Sequence, residues 1–270
     1  MIVHEGNLDK MQAKSVVKAI EADCVGCAIQ DVRSVFDPDE ALYGECLARL
    51  FAPDGRVLTA GEFLPDVDAS REMPELDRHM LKIVLNLLEA DPLAVLGCNI
   101  SADNLENRHT WSPILNQIRQ RSHLAHRLVL ELTEGREISC MSFCVDAIAE
   151  VQKVGCRVAL DDFGVGFSTP RLLQLINFDI VKIDKAFLHD IRSSIDGRNS
   201  LQNIVDLASS FVPIIVVEGV ETAWHADAIR ITGATHIQGH FFSRPLVYKP
   251  VTSDSTLSTS PATGFSSGCD

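Results

Sequence analysis

Arg157-Val-Ala-Leu-Asp-Asp-Phe-Gly164 is a short apolar run that closes on two adjacent carboxylates. A run of this length reads as a buried strand. Asp161 and Asp162 at its end repel each other unless a cation shares the space. The pattern repeats on both sides. Ala94–Ser101 carries Asn99 near its end, Leu128–Glu134 carries Glu131, Ile180–Asp184 carries Lys182 and Asp184, and Ile214–Glu221 carries Glu218 and Glu221. Gln238 follows the short run His236–Ile237. A carboxylate after a strand is often a helix N-cap, and Asp184 or Glu221 could be that. Lys182 is harder to explain that way, because an ammonium inside an apolar strand needs a partner. Five strands ending alike point to one shared site.

The strands expected from the sequence are Cys27–Val32, Leu42–Leu50, Ala94–Ile100, Leu128–Leu132, Arg157–Leu160, Ile180–Ile183, Ile214–Val217 and His236–Ile237. Helical periods lie between them. Leu76, Met80, Ile83, Val84, Leu87 and Leu88 form one, and Leu201, Ile204, Val205 and Ala208 another. A third has Cys144, Ile148 and Val151 on its apolar side, Asp146 and Glu150 on its polar side, and Gly155 as its C-cap. Eight strands alternating with helices predict an α/β fold of the TIM-like (β/α)8 barrel type. A doubly wound open sheet is the alternative. It would gather its chemistry at one crevice, usually behind a Gly-rich first turn, and no GxGxxG follows the first strand.

The 270 residues suffice for one barrel, expected over 21–250. Residues 1–20 read as a partly helical lead-in. Residues 251–270 are rich in Ser, Thr and Gly without apolar period, and read as a disordered tail. A net charge of −13 argues against binding a nucleic-acid polymer, but not against one phosphorylated small molecule held through cations. The eight cysteines lie mostly in apolar runs and read as free thiols, which suits a cytoplasmic setting. No apolar run is long enough to cross a membrane.

Asparagine and carboxylate oxygens without His or Cys suit hard cations such as Mg2+ or Mn2+. A carboxylate shared by two ions, beside a neighbour on the second, would hold a metal pair. The segments Asn99-Ile-Ser101, Glu131-Leu-Thr-Glu134, Asp161-Asp162-Phe-Gly-Val-Gly-Phe-Ser168, Lys182-Ile-Asp184, Glu218-Gly-Val-Glu221 and Gln238-Gly resemble, in order, the signature of EAL-domain phosphodiesterases, which act on cyclic di-GMP. The resemblance covers roughly residues 20–248 and implies a barrel that can carry one antiparallel strand. The literal Glu40-Ala41-Leu42 is not the matching site. Glu45-Cys46-Leu47 is followed by Arg49, Pro53, Gly55 and Glu62-Phe-Leu-Pro65, as the family's glutamate is, so the motif here reads ECL.

The resemblance implies two divalent cations, Mg2+ or Mn2+. Glu45, Asn99, Glu131 and Asp161 would ligate the first, with Asp161 bridging to the second beside Asp162. Lys182 and Glu218 would orient or deprotonate the attacking water. Gln30, Leu47, Arg49, Glu221 and Gln238 would meet the substrate or support it. Glu134 would anchor the loop Phe163–Ser168. The product would be linear pGpG, and the working form a homodimer. Asp31 and Leu50 depart from the family's usual Pro and Trp, which bears on substrate affinity. Two other readings stand beside this one: a non-catalytic cyclic di-GMP receptor or protein-interaction module, and a barrel metalloenzyme acting on another phosphoester.

Overall fold

The computed structural model describes residues 15–248, apart from 134, 135, 137, 167–169 and 196. Most of the expected lead-in, all of the expected tail, Glu134, and Phe167 and Ser168 of the expected mobile loop therefore lie outside the described residues. The last residues of the lead-in enter helix α1 (Val16–Glu21).

Eight strands close a ring. They are β1 (Val25–Ser34), β2 (Ala41–Phe51), β4 (Leu96–Ser101), β5 (Leu128–Thr133), β6 (Arg157–Phe163), β7 (Ile180–Ile183), β8 (Ile214–Val217) and β9 (His236–Ile237). Strands β2 and β4 through β9 run parallel to their neighbours. Only β1 runs against the rest, pairing antiparallel with β2 and β9 to close the barrel. Two three-residue strands unforeseen in the sequence, β3 (Val57–Thr59) and β10 (Leu246–Tyr248), extend β2 and β1 on the outside. Such short, largely exposed segments carry no apolar alternation to read.

The expected strands from 180, 214 and 236 keep both their limits. Strand β1 gains two residues at each end, and β6 shows the largest difference at a single end, running three residues further through both aspartates to Phe163. A bulge between Leu160 and Phe163 accommodates the extra residue against β7, with Asp162 in the left-handed region at φ 50°. A bulge of this kind re-aims side chains. It lets Asp161 point into the barrel while Asp162 stays exposed.

Helices connect the parallel strands: α2 (Ala60–Ser70), α3 (Met73–Ala90), α4 (Arg108–Gln120), α5 (Met141–Val154), α6 (Pro170–Leu175), α7 (Ala186–His189), α8 (Ser200–Ser209) and α9 (Ala223–Arg230). Leu76, Met80, Leu81, Val84, Leu85 and Leu88 line the buried stripe of α3, as their spacing requires. Cys144, Ala147, Ile148 and Val151 do so on α5, which ends at Gly155 with φ 115°. These stripes pack on the outward residues of the strands, such as Cys46, Cys98, Leu130 and Leu160, in one large core. A smaller, separate cluster fills the barrel interior: Val32, Tyr43, Val129, Ala159, Ile180 and Val216.

Candidate active site

The inner cluster explains where the polar residues stand. Side chains two apart on a strand share a face. Tyr43, Val129, Ala159, Ile180 and Val216 point inward, so Glu45, Glu131, Asp161, Lys182 and Glu218 point inward one layer higher. Gly97 and Asn99 hold the same relation on β4. The interior is thus an apolar plug under a charged layer at the C-terminal strand ends.

Lys182 is 1% exposed, and its Nζ is surrounded. It stands 2.7 Å from Glu131 Oε2, 2.9 Å from Glu218 Oε1, and 3.0 Å from both Glu45 Oε2 and Asp161 Oδ1. Glu45 also accepts from Asn99 Nδ2 at 2.9 Å and from Gln238 Nε2 at 2.7 Å. The Tyr43 hydroxyl donates to Glu131 Oε2 at 3.2 Å. Glu131 Oε1 is buried without a hydrogen-bond partner. It lies over Gly97, where a Cβ would collide with it and come within 2.7 Å of the Tyr43 ring. The glycine is what gives this carboxylate room.

Four carboxylates around one ammonium leave surplus negative charge, and the protonation equilibria reflect it. Burial and then the Glu45 charge push Glu131 well above the carboxylate range, against the pull of Lys182. Burial opposes ionisation of Glu45 too, but Lys182 and the Asn99 and Gln238 amides together hold it low. Burial raises Glu218 to about 8 against the pull of Lys182, and partial desolvation of the Asp162 carboxyl, with the neighbouring Asp161 charge, raises it to about 6. Burial works against the Lys182 charge, yet its carboxylate neighbours keep it well above an ordinary lysine.

The carboxylates form two overlapping groups of possible ligands. Glu45, Glu131 and Asp161 offer oxygens within 4.8 Å of one another, and so do Asp161, Asp162 and Glu218. Asp161 belongs to both. Oxygen donors, excess negative charge and the unpartnered Glu131 oxygen all fit hard divalent cations.

Above the charged layer the cleft has two lobes, which share Glu45, Leu47, Asp161 and Asp162. One, of about 300 Å3, is polar and includes Gln30, Lys182, Glu218, Glu221 and Gln238. The other, of about 540 Å3, is walled by Leu64, Pro65, Met73, Leu76 and Met80, with Arg136 and Asp103 among its polar residues. Gln30 also donates to the Ser243 carbonyl at 2.9 Å. Arg49 lies apart from both lobes. It is 7% exposed and turns back on its own strand, donating to Ala48 O at 2.9 Å. Asp184 accepts from the Ala186 amide at the start of α7, the capping role weighed for it. Glu40 stands exposed in the β1–β2 hairpin, away from the charged layer.

The sequence reading missed Tyr43 and Gly97. Period-two alternation back from Glu45 and Asn99 reaches both. It also missed Asp77, on α3, whose Oδ2 accepts from the Ser101 amide and hydroxyl and from Asn104 Nδ2. Burial raises this carboxyl to about 7 despite those bonds. Nothing in a helical period marks it.

A closed α/β barrel with carboxylates grouped as possible metal ligands at its mouth is the class that fold and site define. The EAL domain family model matches residues 17–245, and the chain belongs to that family. Over 75% of its length it is 30% identical to the cyclic di-GMP phosphodiesterase PdeL of Escherichia coli, covering 57% of that protein. It is 31% identical to an uncharacterised Mycobacterium tuberculosis protein, covering 75% of this chain and 33% of that one. The chain spans only 24% to 33% of several such relatives. The fold is similar to that of a Listeria monocytogenes EAL domain protein, with TM-score 0.73 and 19% identity over 91% of this chain and 95% of that one. It is also similar to the PaMucR phosphodiesterase in its c-di-GMP complex, with TM-score 0.71 and 22% identity over 86% and 95%. Among the described residues no helix is long and apolar enough to cross a membrane.

Proposed function

We propose that this chain hydrolyses cyclic di-GMP to linear pGpG at a centre holding two divalent cations, Mg2+ or Mn2+. The observation that carries the reading is Asp161: one buried carboxylate common to two groups of possible ligands, beside a cleft large enough for a dinucleotide. Glu45, Asn99, Glu131 and Asp161 would hold one ion, and Asp161 with Asp162 the other. When bound, the cations supply positive charge to the phosphodiester oxygens and acidify a water.

The chain's own groups do the rest. Water oxygen bonds to phosphorus, one P–O3′ bond breaks, and the 3′ oxygen takes a proton from solvent, matching the one the attacking water gives up. Lys182, fixed by four carboxylates, keeps its proton and orients the attacking water. Glu218, the most solvent-exposed of those four, would accept the proton that the water loses once the bound cations have displaced its own. Leu47 and the apolar lobe take a flat guanine base. Gln30, Glu221 and Gln238 line the polar lobe beside the phosphates. Arg49 would swing from the Ala48 carbonyl to a phosphate, for which its guanidinium is suited. Glu134 would steady the loop after β6. A homodimer in a reducing cytoplasm is the setting this reading expects.

Chromatographic product analysis with added Mg2+, Mn2+ and Ca2+ tests it. Appearance of pGpG with Mg2+ or Mn2+, abolished in Asp161→Ala and Glu131→Ala, is the expected result. Tight cyclic di-GMP binding without turnover under any cation would overturn it in favour of a receptor. Equal turnover of generic phosphodiesters would overturn the substrate assignment.

A further inference from the structure

The turn that carries Glu218 out of β8 is held from outside by two histidines. His189 closes α7, and its Nε2 lies 2.9 Å from the Gly219 carbonyl oxygen. A carbonyl only accepts, so this nitrogen carries the hydrogen. His225 stands in the first turn of α9, where its Nδ1 accepts from the Glu221 amide at 3.2 Å. That nitrogen must therefore be bare, and the neutral ring carries its hydrogen on Nε2. The two imidazoles stack, with centroids 4.8 Å apart and planes 24° from parallel.

The local sequence explains His225. Thr222 caps α9 by accepting from the His225 amide at 3.2 Å. In the common capping box the third residue after the cap is Glu or Gln, and its side chain reaches back to a backbone N–H. Here His225 fills that position and reaches one residue further back, to Glu221. Gly219 explains the other contact. At φ 73° it turns its carbonyl outward, and a Cβ there would press on Lys185 and lie 3.2 Å from His189 Nε2. Two further amides of the turn bind inward: Glu218 to Ile183 O and Val220 to Gln238 O. The inward bonds fix the turn to the barrel, whereas the two histidines fix its outer side and tie it to α7.

We propose that His189 and His225 are positioning residues, a stacked pair that clamps the Glu218–Glu221 turn by its backbone and so sets where the Glu218 carboxylate stands in the acidic centre. The inference rests on the proposed role of Glu218, but the clamp is measurable without turnover. The test compares His225→Leu, which removes the acceptor, with His225→Gln, which restores a side-chain carbonyl at the capping-box position. Amide hydrogen exchange reads the Glu221 N–H, nitrogen-15 spectra read the two ring tautomers, and calorimetry reads Mn2+ affinity. In the leucine variant the Glu221 amide should lose protection. Mn2+ binding should weaken about tenfold, the lower end for losing a residue that orients a ligand, because Glu218 shares an acidic group with Asp161 and Asp162. The glutamine variant should keep both, and kcat should follow Mn2+ affinity with KM little changed. Unaltered Glu221 protection and Mn2+ affinity in a folded His225→Leu protein would overturn the clamp, whether or not the wild type turns over cyclic di-GMP. Intact clamp readouts together with no wild-type hydrolysis would count against the proposed function alone.

Discussion

Lys182 sets the energetics of the centre at the scale of single residues. Its ammonium replaces, for three buried carboxylates and the half-buried Glu218, part of the hydration they have lost. Removing one partner of a buried ion pair costs about 3–5 kcal/mol, because the remaining charge has no counterpart. Lys182→Met should therefore lower stability by about that much in cation-free solution. Saturating Mn2+ should recover part of the loss, since the cation takes over the missing charge. Urea unfolding with and without Mn2+ checks this, and an equal loss in both conditions would contradict it. Gly97 makes a steric prediction. A methyl group there strikes Glu131 and the Tyr43 ring, neither of which has free space to retreat into. Gly97→Ala should cost about 1–3 kcal/mol, the usual cost of overpacking, and should weaken Mn2+ binding through the displaced Glu131. Wild-type stability in thermal unfolding would show that Glu131 moves freely.

Strand β6 belongs to the next scale. The apolar run Val158–Leu160 identifies the strand from sequence, because burial on both faces demands such a run. Likewise the acidic residues at strand ends were legible, since nothing in an ordinary core explains them. The bulge was not legible. It depends on how β6 and β7 register against each other, and that is a property of two strands together. Arg49 shows the same limit. Its place on the face of Glu45 and Leu47 follows from alternation, but its turn back to the Ala48 carbonyl does not. Asp77 went unread for a third reason: its partners Ser101 and Asn104 are more than twenty residues away. The bulge makes its own prediction. Asp162 holds a left-handed backbone, which a non-glycine residue adopts at a cost of about 1–2 kcal/mol, and its carboxyl sits beside Asp161. Asp162→Gly removes both penalties. It should raise the thermal midpoint of the cation-free protein while lowering turnover and the number of Mn2+ ions bound. A lower midpoint would mean that the Asp162 side chain stabilises the bulge.

The barrel as a whole converts this local surplus of charge into a dependence of stability on pH. Asp77, Asp162 and Glu218 titrate in the folded protein at about 7, 6 and 8, against ordinary values of 3.8, 3.8 and 4.5. Between the two sets of values the folded chain holds protons that the unfolded chain has shed. Stability from these groups is complete below pH 3.8 and is lost as pH rises through their folded values. Glu45 acts the other way. Its lowered value gives stability that is present above 4.5 and lost in acid. The cation-free protein should therefore be most stable in mildly acidic solution and lose stability towards about pH 8. A divalent cation competes with the same protons at Asp162 and Glu218, so its binding should release protons and tighten as pH rises. The rise in melting temperature produced by Mg2+ should accordingly be larger at about pH 8 than at about pH 5.5. Asp77, in the other lobe, should contribute to the slope in either case. Scanning calorimetry at the two pH values measures the shift, and titration in buffers of different ionisation enthalpy counts the protons. An equal Mg2+ shift at both pH values, with no proton release, would mean that the cation binds away from the raised carboxylates, and would overturn the proposal that the charged layer is a metal centre.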